Sequence, residues 1–214
     1  LEEDPRLRWD AVIVDEGQDF KDLWWIAVER LLSSEEDGTL YVFHDPDQNL
    51  FGGGSIKQLG LTPVKLFLNC RNTRNIGESA YGFLGLQPSF PGQAHQGVQL
   101  KEISCGNDRE MLEGVRRTIH HLVNEEQIPA EQIIVLSPKS QETSKVWEKH
   151  TFGNFRLVGH GEVLEPNQVH FSSIPRFKGL EAHVVIMCEV DHGSRRCSPR
   201  HLYVGASRAK HALV

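Results

Sequence analysis

The sequence predicts an α/β protein built on doubly wound parallel sheets, and two observations predict it. Helix-like and strand-like segments alternate along the 214 residues. The strand-like runs are also continuously apolar rather than alternating, as strands covered on both faces are. With 39% hydrophobic residues the chain can bury one large core or two smaller ones.

Taken in order, Ala11 to Val14 reads as the first buried strand. Asp22 to Leu32 reads as a helix whose Leu23, Ile26, Ala27, Arg30 and Leu31 share a face. Trp24 and Trp25 are adjacent and cannot share one face, so one is expected in the core and the other against another domain or chain. Thr39 to Phe43 is a second strand, followed by the turn-rich HDPDQNLFGGG. Val64 to Leu68 is expected as a third strand, leading into a helix from about Thr73. Gly85 to Gly97 is loop-like, Val98 to Ile103 strand-like, and Asp108 to Val123 a long helix with Met111, Leu112, Val115, Ile119 and Leu122 apolar. Strands follow at Ile133 to Leu136, near Phe155, near Val169 and at Val184 to Cys188, with a helix near Glu142 to Lys149. A turn at Cys197 to Arg200 leads into a last helix carrying Tyr203 and Arg208, and His211 to Val214 begins a strand. The division is expected near Thr62-Pro63, giving parts 1–62 and 63–214.

The totals exclude several classes. A net charge of -6 offers no global attraction to a polyanion, so nucleic-acid binding would need a local basic surface. No apolar run has membrane-spanning length and no signal peptide is evident. Cys70, Cys105, Cys188 and Cys197 are widely spaced, which fits free thiols in a reducing cytoplasm better than disulfides or zinc. Leu1 in place of Met, and a strand broken off at Val214, suggest a piece of a longer protein.

Chemistry gathers at strand ends, where open parallel sheets bind ligands. In VIVDEGQDF, Asp15 and Glu16 follow the first strand, with Gln18 and Asp19 beside them. One carboxylate there can hold a magnesium ion while its neighbour polarises a water. A lone Asp-Glu pair is more often a solvated strand end, but the second strand repeats the design in His44-Asp45-Pro46-Asp47-Gln48. Three cations then stand where an anion could be held: Arg71, Lys178 before Gly179-Leu180-Glu181, and Arg208 in SRAK. A guanidinium suits phosphate because its planar fork binds two oxygens and stays charged. Acids and glutamines early, arginines late, is the order a nucleotide held between two lobes needs.

Read in sequence, VIVDEGQDF, FHDPDQNLF, LFLNCRNTRNI, FSSIPRFKGLEAHVVIM and HLYVGASRAK resemble motifs II to VI of the UvrD/Rep-like group of superfamily 1 helicases. The resemblance implies RecA-like parallel sheets of the P-loop NTPase type. Residues 1–62 would be the end of the first lobe and 63–214 most of the second, UvrD-like C-terminal lobe. It further implies ATP and Mg²⁺ as cofactors, single-stranded DNA (or RNA) as partner, and ATP hydrolysis coupled to movement. By position, Asp15 would help hold Mg²⁺, Glu16 activate the hydrolytic water, and Gln48 contact the γ-phosphate. Gln18 would link hydrolysis to movement, Arg71 and Arg208 reach the γ-phosphate, Glu181 bind the ribose and Lys178 lie beside the nucleotide. Phe51 stands at the spacing of an aromatic that stacks on a base, or else folds onto the core. Arg195, Arg196 and Arg200 are a solvated turn or a phosphate track.

The sequence departs from the family at identifiable places. No GxxxxGK[ST] loop is present: Gly52-Gly53-Gly54 runs into Ser55-Ile56-Lys57 and follows the acidic motif. The phosphate-binding loop is therefore expected upstream in the same polypeptide, and the isolated piece is expected to hydrolyse little ATP. Cys70 replaces a tyrosine that packs on adenine, Pro175 and Phe177 replace a His and a small residue, and Ser207 replaces Thr. Gly17 stands at a position that varies. The interval from Arg71 to Ser172 leaves no room for a large inserted domain. A helicase remnant that only binds nucleic acid or protein is the alternative to an enzyme, and an unrelated nucleotide-binding protein would need five ordered motifs by chance.

Overall fold

The computed structural model describes residues 8–34, 38–54, 56–191 and 193–214, except the side chain of Arg195. Leu1, Ser55 and the Arg195 guanidinium lie outside the described residues. The chain divides into two compact units, 1–65 and 66–214.

The first unit is one βαβ turn. Strand β1 (Ala11–Val14) pairs in parallel with β2 (Thr39–Val42), Val14 facing Val42, and α1 (Asp22–Glu29) connects them. Val14, Trp25 and Val28 form its small core, with Phe20 stacked on Trp25 at 4.9 Å. The helix therefore buries Trp25 and Val28, whereas Leu23 and Ile26 of the expected face are exposed. Leu23 to Val28 is apolar on every side, so periodicity cannot choose a face, and the largest ring takes the core. Trp25 is the core member of the tryptophan pair, and Trp24 is exposed.

The second unit holds a six-stranded sheet, ordered β4-β5-β6-β3-β7-β8. The strands are β3 (Ile133–Ser137), β4 (Thr151–Phe152), β5 (Phe155–Gly159), β6 (Gln168–Ser173), β7 (Ala182–Met187) and β8 (Ala209–Leu213). All pairs are parallel except the β4-β5 hairpin. Central β3 is buried along its whole length, as its unbroken apolar run requires. Four helices accompany the sheet: α2 (Arg74–Gly82), α3 (Asp108–His120), α4 (Lys145–Lys149) and α5 (Pro199–Ala206). Helix α3 opens on a reciprocal cap: Asn107 accepts the Glu110 N–H at 3.0 Å while Glu110 accepts the Gly106 N–H at 2.8 Å. Its Val115 and Ile119, with Leu122 beyond, pack on Val135, Val184 and Ile186, each fully buried side chain contributing about 1.5–3 kcal/mol.

Two expected strands are absent. Val64 to Leu68 and Val98 to Ile103 carry strand-like apolar residues but no ladder among the described residues. A single bridge joins Leu68 to Ser89, and one bond runs from the Lys101 N–H to the Leu213 carbonyl at 3.4 Å. Val64 and Leu66 are 83% and 81% exposed. Arg71 thus follows an extended segment, and Arg208 lies in the turn between α5 and β8 rather than on the helix.

Candidate functional site

In the first unit the site grows from the ends of two strands. Asp15 follows β1, exposed, and its Oδ1 accepts the Glu16 N–H at 2.8 Å. Glu16 adopts a left-handed backbone, φ 52°, which turns the chain sharply. Gly17 fits beneath: a Cβ there would lie 2.5 Å from Val42 Cγ1 and 3.3 Å from Trp25. The residue therefore has a packing reason that its sequence context does not announce.

Gln18 is 3% exposed and spans the strand ends. Its Nε2 donates to Glu16 Oε2 at 2.5 Å and its Oε1 accepts the Asp45 N–H at 2.9 Å. Asp45 in turn accepts the Asp47 N–H on Oδ1 at 2.9 Å and Gln48 Nε2 on Oδ2 at 2.8 Å. Glu16, Gln18, Asp45 and Gln48 are thereby joined in one chain of hydrogen bonds. The glycine run closes over this corner: the Gly54 N–H donates to the Phe20 carbonyl at 2.6 Å, and a Cβ at Gly53 would fall 1.9 Å from Gln18 O. Phe51, just before it, is exposed on the loop.

No cluster of three or more metal-ligating side chains occurs among the described residues. Magnesium commonly takes one or two carboxylates and completes its shell with phosphate oxygens and water. Asp15, exposed at the carboxyl end of β1, fits an ion that arrives with a phosphate.

In the second unit Glu181 is the centre. Lys210 forms an ion pair with it, and Arg71 Nε lies 4.0 Å from its Oε2. The adjacent Lys210 ammonium holds the Glu181 carboxyl below the usual carboxylate range. A bulge builds this contact: between the pairs Ala182–Ala209 and Val184–Ala212, β8 carries two residues, Lys210 and His211, against His183 alone. Lys210 meets Glu181, while His211 stacks on His183 at 4.6 Å. Asn72 donates to the carbonyls of Ser207 and Ala209 at 3.0 and 2.8 Å, fixing the segment that carries Arg71 to the turn that carries Arg208. Arg208 itself is 1% exposed. Its guanidinium donates to Val204 O at 3.1 Å, Ser207 Oγ at 3.0 Å and Leu180 O at 3.4 Å. Lys178 is half-buried, one residue before Gly179, whose φ is 82°. Arg71 and Lys210 also line a cavity of about 340 Å³ with Asn69, Cys70, Gln93 and His95.

The structure therefore brings Glu16, Gln18 and Gln48 together in one unit, and Arg71 and Glu181 in the other. Sequence reasoning missed Asp45, Asn72, Lys210 and Glu189 as members of networks. Asp45 carried a signal, since it stands with Asp47 and Gln48 just past a strand; Lys210 depends on a bulge that no short pattern marks. Glu189 is equally hidden. Its side chain is 1% exposed, and it accepts from Ser137 Oγ and Ser144 Oγ, both at 2.6 Å, from the Lys145 N–H at 2.8 Å and from Lys139 Nζ at 3.1 Å.

Comparison with known proteins bears on the second unit. The family model "UvrD-like helicase C-terminal domain" matches residues 168–214. No curated protein sequence matches the chain. Among solved structures, the C-terminal domain of a possible DNA helicase from Lactobacillus plantarum WCFS1 is similar, with 19% identity and a TM-score of 0.49 over 67% of this chain and 83% of that one. The matched segment contains β6, β7, α5 and β8, and with them Lys178, Glu181, Arg208 and Lys210. Over residues 168–214 the chain is therefore similar to the UvrD-like helicase C-terminal domain family.

Proposed function

We propose that the chain is part of an ATP-dependent DNA helicase or translocase, residues 1–62 ending its first RecA-like lobe and 63–214 forming most of its second. The observation that carries this reading is the hydrogen-bonded meeting of Glu16 with Gln48, through Gln18 and Asp45, at the carboxyl ends of two parallel strands. An acid that polarises a water and an amide that contacts a phosphate must act on the same group, and here they are held as one assembly. Asp15 would hold Mg²⁺ with the phosphates, which neutralises charge on the transferring group. Glu16 would orient and polarise the attacking water. Arg71 and Arg208 would supply positive charge to the transition state, a contribution of roughly 10³–10⁵ in rate where an arginine finger acts. Glu181, held ionised by Lys210, would accept hydrogen bonds from a ribose, with Lys178 beside it. Phe51, exposed, would stack on a base of single-stranded DNA, worth about 1–3 kcal/mol.

The test uses the full-length protein, which under this reading carries a phosphate-binding loop upstream of Asp15. ATPase activity stimulated by single-stranded DNA is expected. Glu16→Gln should abolish turnover and leave ATP binding within about threefold. Normal turnover in that variant sinks the water-activating role. The burial of Arg208 against backbone carbonyls favours a second reading, a helicase-like module that binds without hydrolysing. Wild-type protein that binds single-stranded DNA with no ATP turnover would establish that one instead.

A further inference from the structure

One residue of the first unit touches both glutamines. Asp45 gives its backbone N–H to Gln18 and takes the Gln48 amide on its carboxylate. A backbone N–H only donates and an ionised carboxylate only accepts, so each contact also fixes which way an amide points. Gln18 must turn Oε1 toward Asp45, and that leaves Nε2 for Glu16. Gln48 must turn Nε2 toward Asp45, and that directs its Oε1 elsewhere. The second Asp45 oxygen is committed to the Asp47 N–H, as the cap of the short turn Pro46–Gln48. The carboxylate therefore cannot rotate without losing that cap. Gln18 is buried, so water cannot readily stand in for either of its bonds.

We propose that Asp45 is a positioning residue that transmits the position of the Glu16 carboxylate to the Gln48 amide. It acts on hydrolysis through Gln48 and does not touch the nucleotide. This rests on the ATPase reading given above. Movement or substitution at Glu16 alters its bond to Gln18. Gln18 is bonded at its other end to the Asp45 backbone, and the Asp45 side chain holds Gln48. Displacement at one group therefore has a hydrogen-bonded route to the other, and Asp45 is its hinge.

Asp45→Asn is the discriminating substitution. It keeps one oxygen for the Asp47 cap and puts an NH₂ group where Gln48 now donates. Donor then faces donor, and the Gln48 amide must turn over. In the full-length enzyme, DNA-stimulated kcat should fall about 10–100-fold, with KM for ATP within about threefold. In a Gln48→Ala background the same substitution should change kcat less than about twofold, because the group it positions is gone. Unchanged kcat in Asp45→Asn, or equal fold-losses in both backgrounds, overturns the proposal; equal losses mark a role in folding alone. A second measurement needs no nucleotide. The side-chain amide resonances of Gln48 in this 214-residue chain should move on Glu16→Gln, and should not move when Asp45→Asn is also present. Movement in both backgrounds, or in neither, also overturns it. Wild-type enzyme without ATPase overturns the ATPase reading, while the resonances still decide whether Asp45 links the two groups.

Discussion

Burial by itself would raise the pKa of Glu189, yet the hydroxyls of Ser137 and Ser144, the Lys145 amide and the Lys139 ammonium outweigh it and hold the carboxyl below its ordinary value. The sign for stability follows from that direction. A carboxyl held lower in the folded than in the unfolded chain stabilises the fold above the unfolded value, and the contribution is lost as pH falls through the folded one. Glu189→Gln removes the charge that pairs with the half-exposed Lys139 and turns one accepting oxygen into a donor, so the Ser137 and Ser144 hydroxyls must reorient to accept. The expected loss at pH 7 is about 1–3 kcal/mol, read from urea unfolding followed by far-UV circular dichroism. The gap between wild type and variant should narrow as pH falls through the lowered folded pKa, beneath the ordinary carboxylate range, since both side chains are then neutral. A gap that does not change with pH would show that the carboxylate is not ionised in the fold. None of this was legible from the sequence, where Glu189 stands alone after a strand and reads as a surface acid. Its partners are 44 to 52 residues away, and only the topology brings them together.

At the scale of elements, the parallel strands and most helices could be read from apolar runs, and α3 down to its buried Val115 and Ile119, with Leu122 just beyond. The failures have a common cause. Val64 to Leu68 and Val98 to Ile103 have the composition of strands, but a strand exists only where a partner completes its ladder. The face of α1 was lost because six successive apolar residues carry no period. The candidate site divides the same way: Asp15, Glu16, Gln18 and Gln48 follow strands, so strand prediction located them, whereas Lys210 depends on the bulge in β8. Asn72 tests how elements are tied without a ladder. Its amide supplies both donors to the carbonyls of Ser207 and Ala209, at the turn from α5 into β8. Asn72→Ala strands two carbonyls in a buried place and should cost about 1–3 kcal/mol. Hydrogen exchange should quicken first in α2 and in the turn at Ser207 and Arg208. Unchanged protection there would mean that packing of Tyr81 on Tyr203 holds the two helices without the asparagine.

At the scale of the whole molecule, the two units differ in what they bury. The second has a six-stranded sheet and a core running from Val115 to Ala212. The first has two strands and a core of Val14, Trp25 and Val28, with Ile13, Leu23, Tyr41 and Phe43 exposed. A two-stranded sheet with one helix is marginal, because the apolar area it removes from water barely offsets the entropy of ordering the chain. The chain should therefore unfold in two steps, the first unit at lower denaturant. The tryptophans allow a direct measurement, since Trp9, Trp24 and Trp25 lie in the first unit and Trp147 in the second. In a Trp147→Phe variant, fluorescence reports the first unit alone, while far-UV circular dichroism is dominated by the larger second unit. The fluorescence midpoint in urea should precede the dichroism midpoint by about 1 M or more, a separation that two-state unfolding forbids. Coincident midpoints would mean that the units unfold as one. The small unit would then draw its stability from the large one, and the hydrogen-bonded chain from Glu16 to Gln48 would be only as rigid as the second unit makes it.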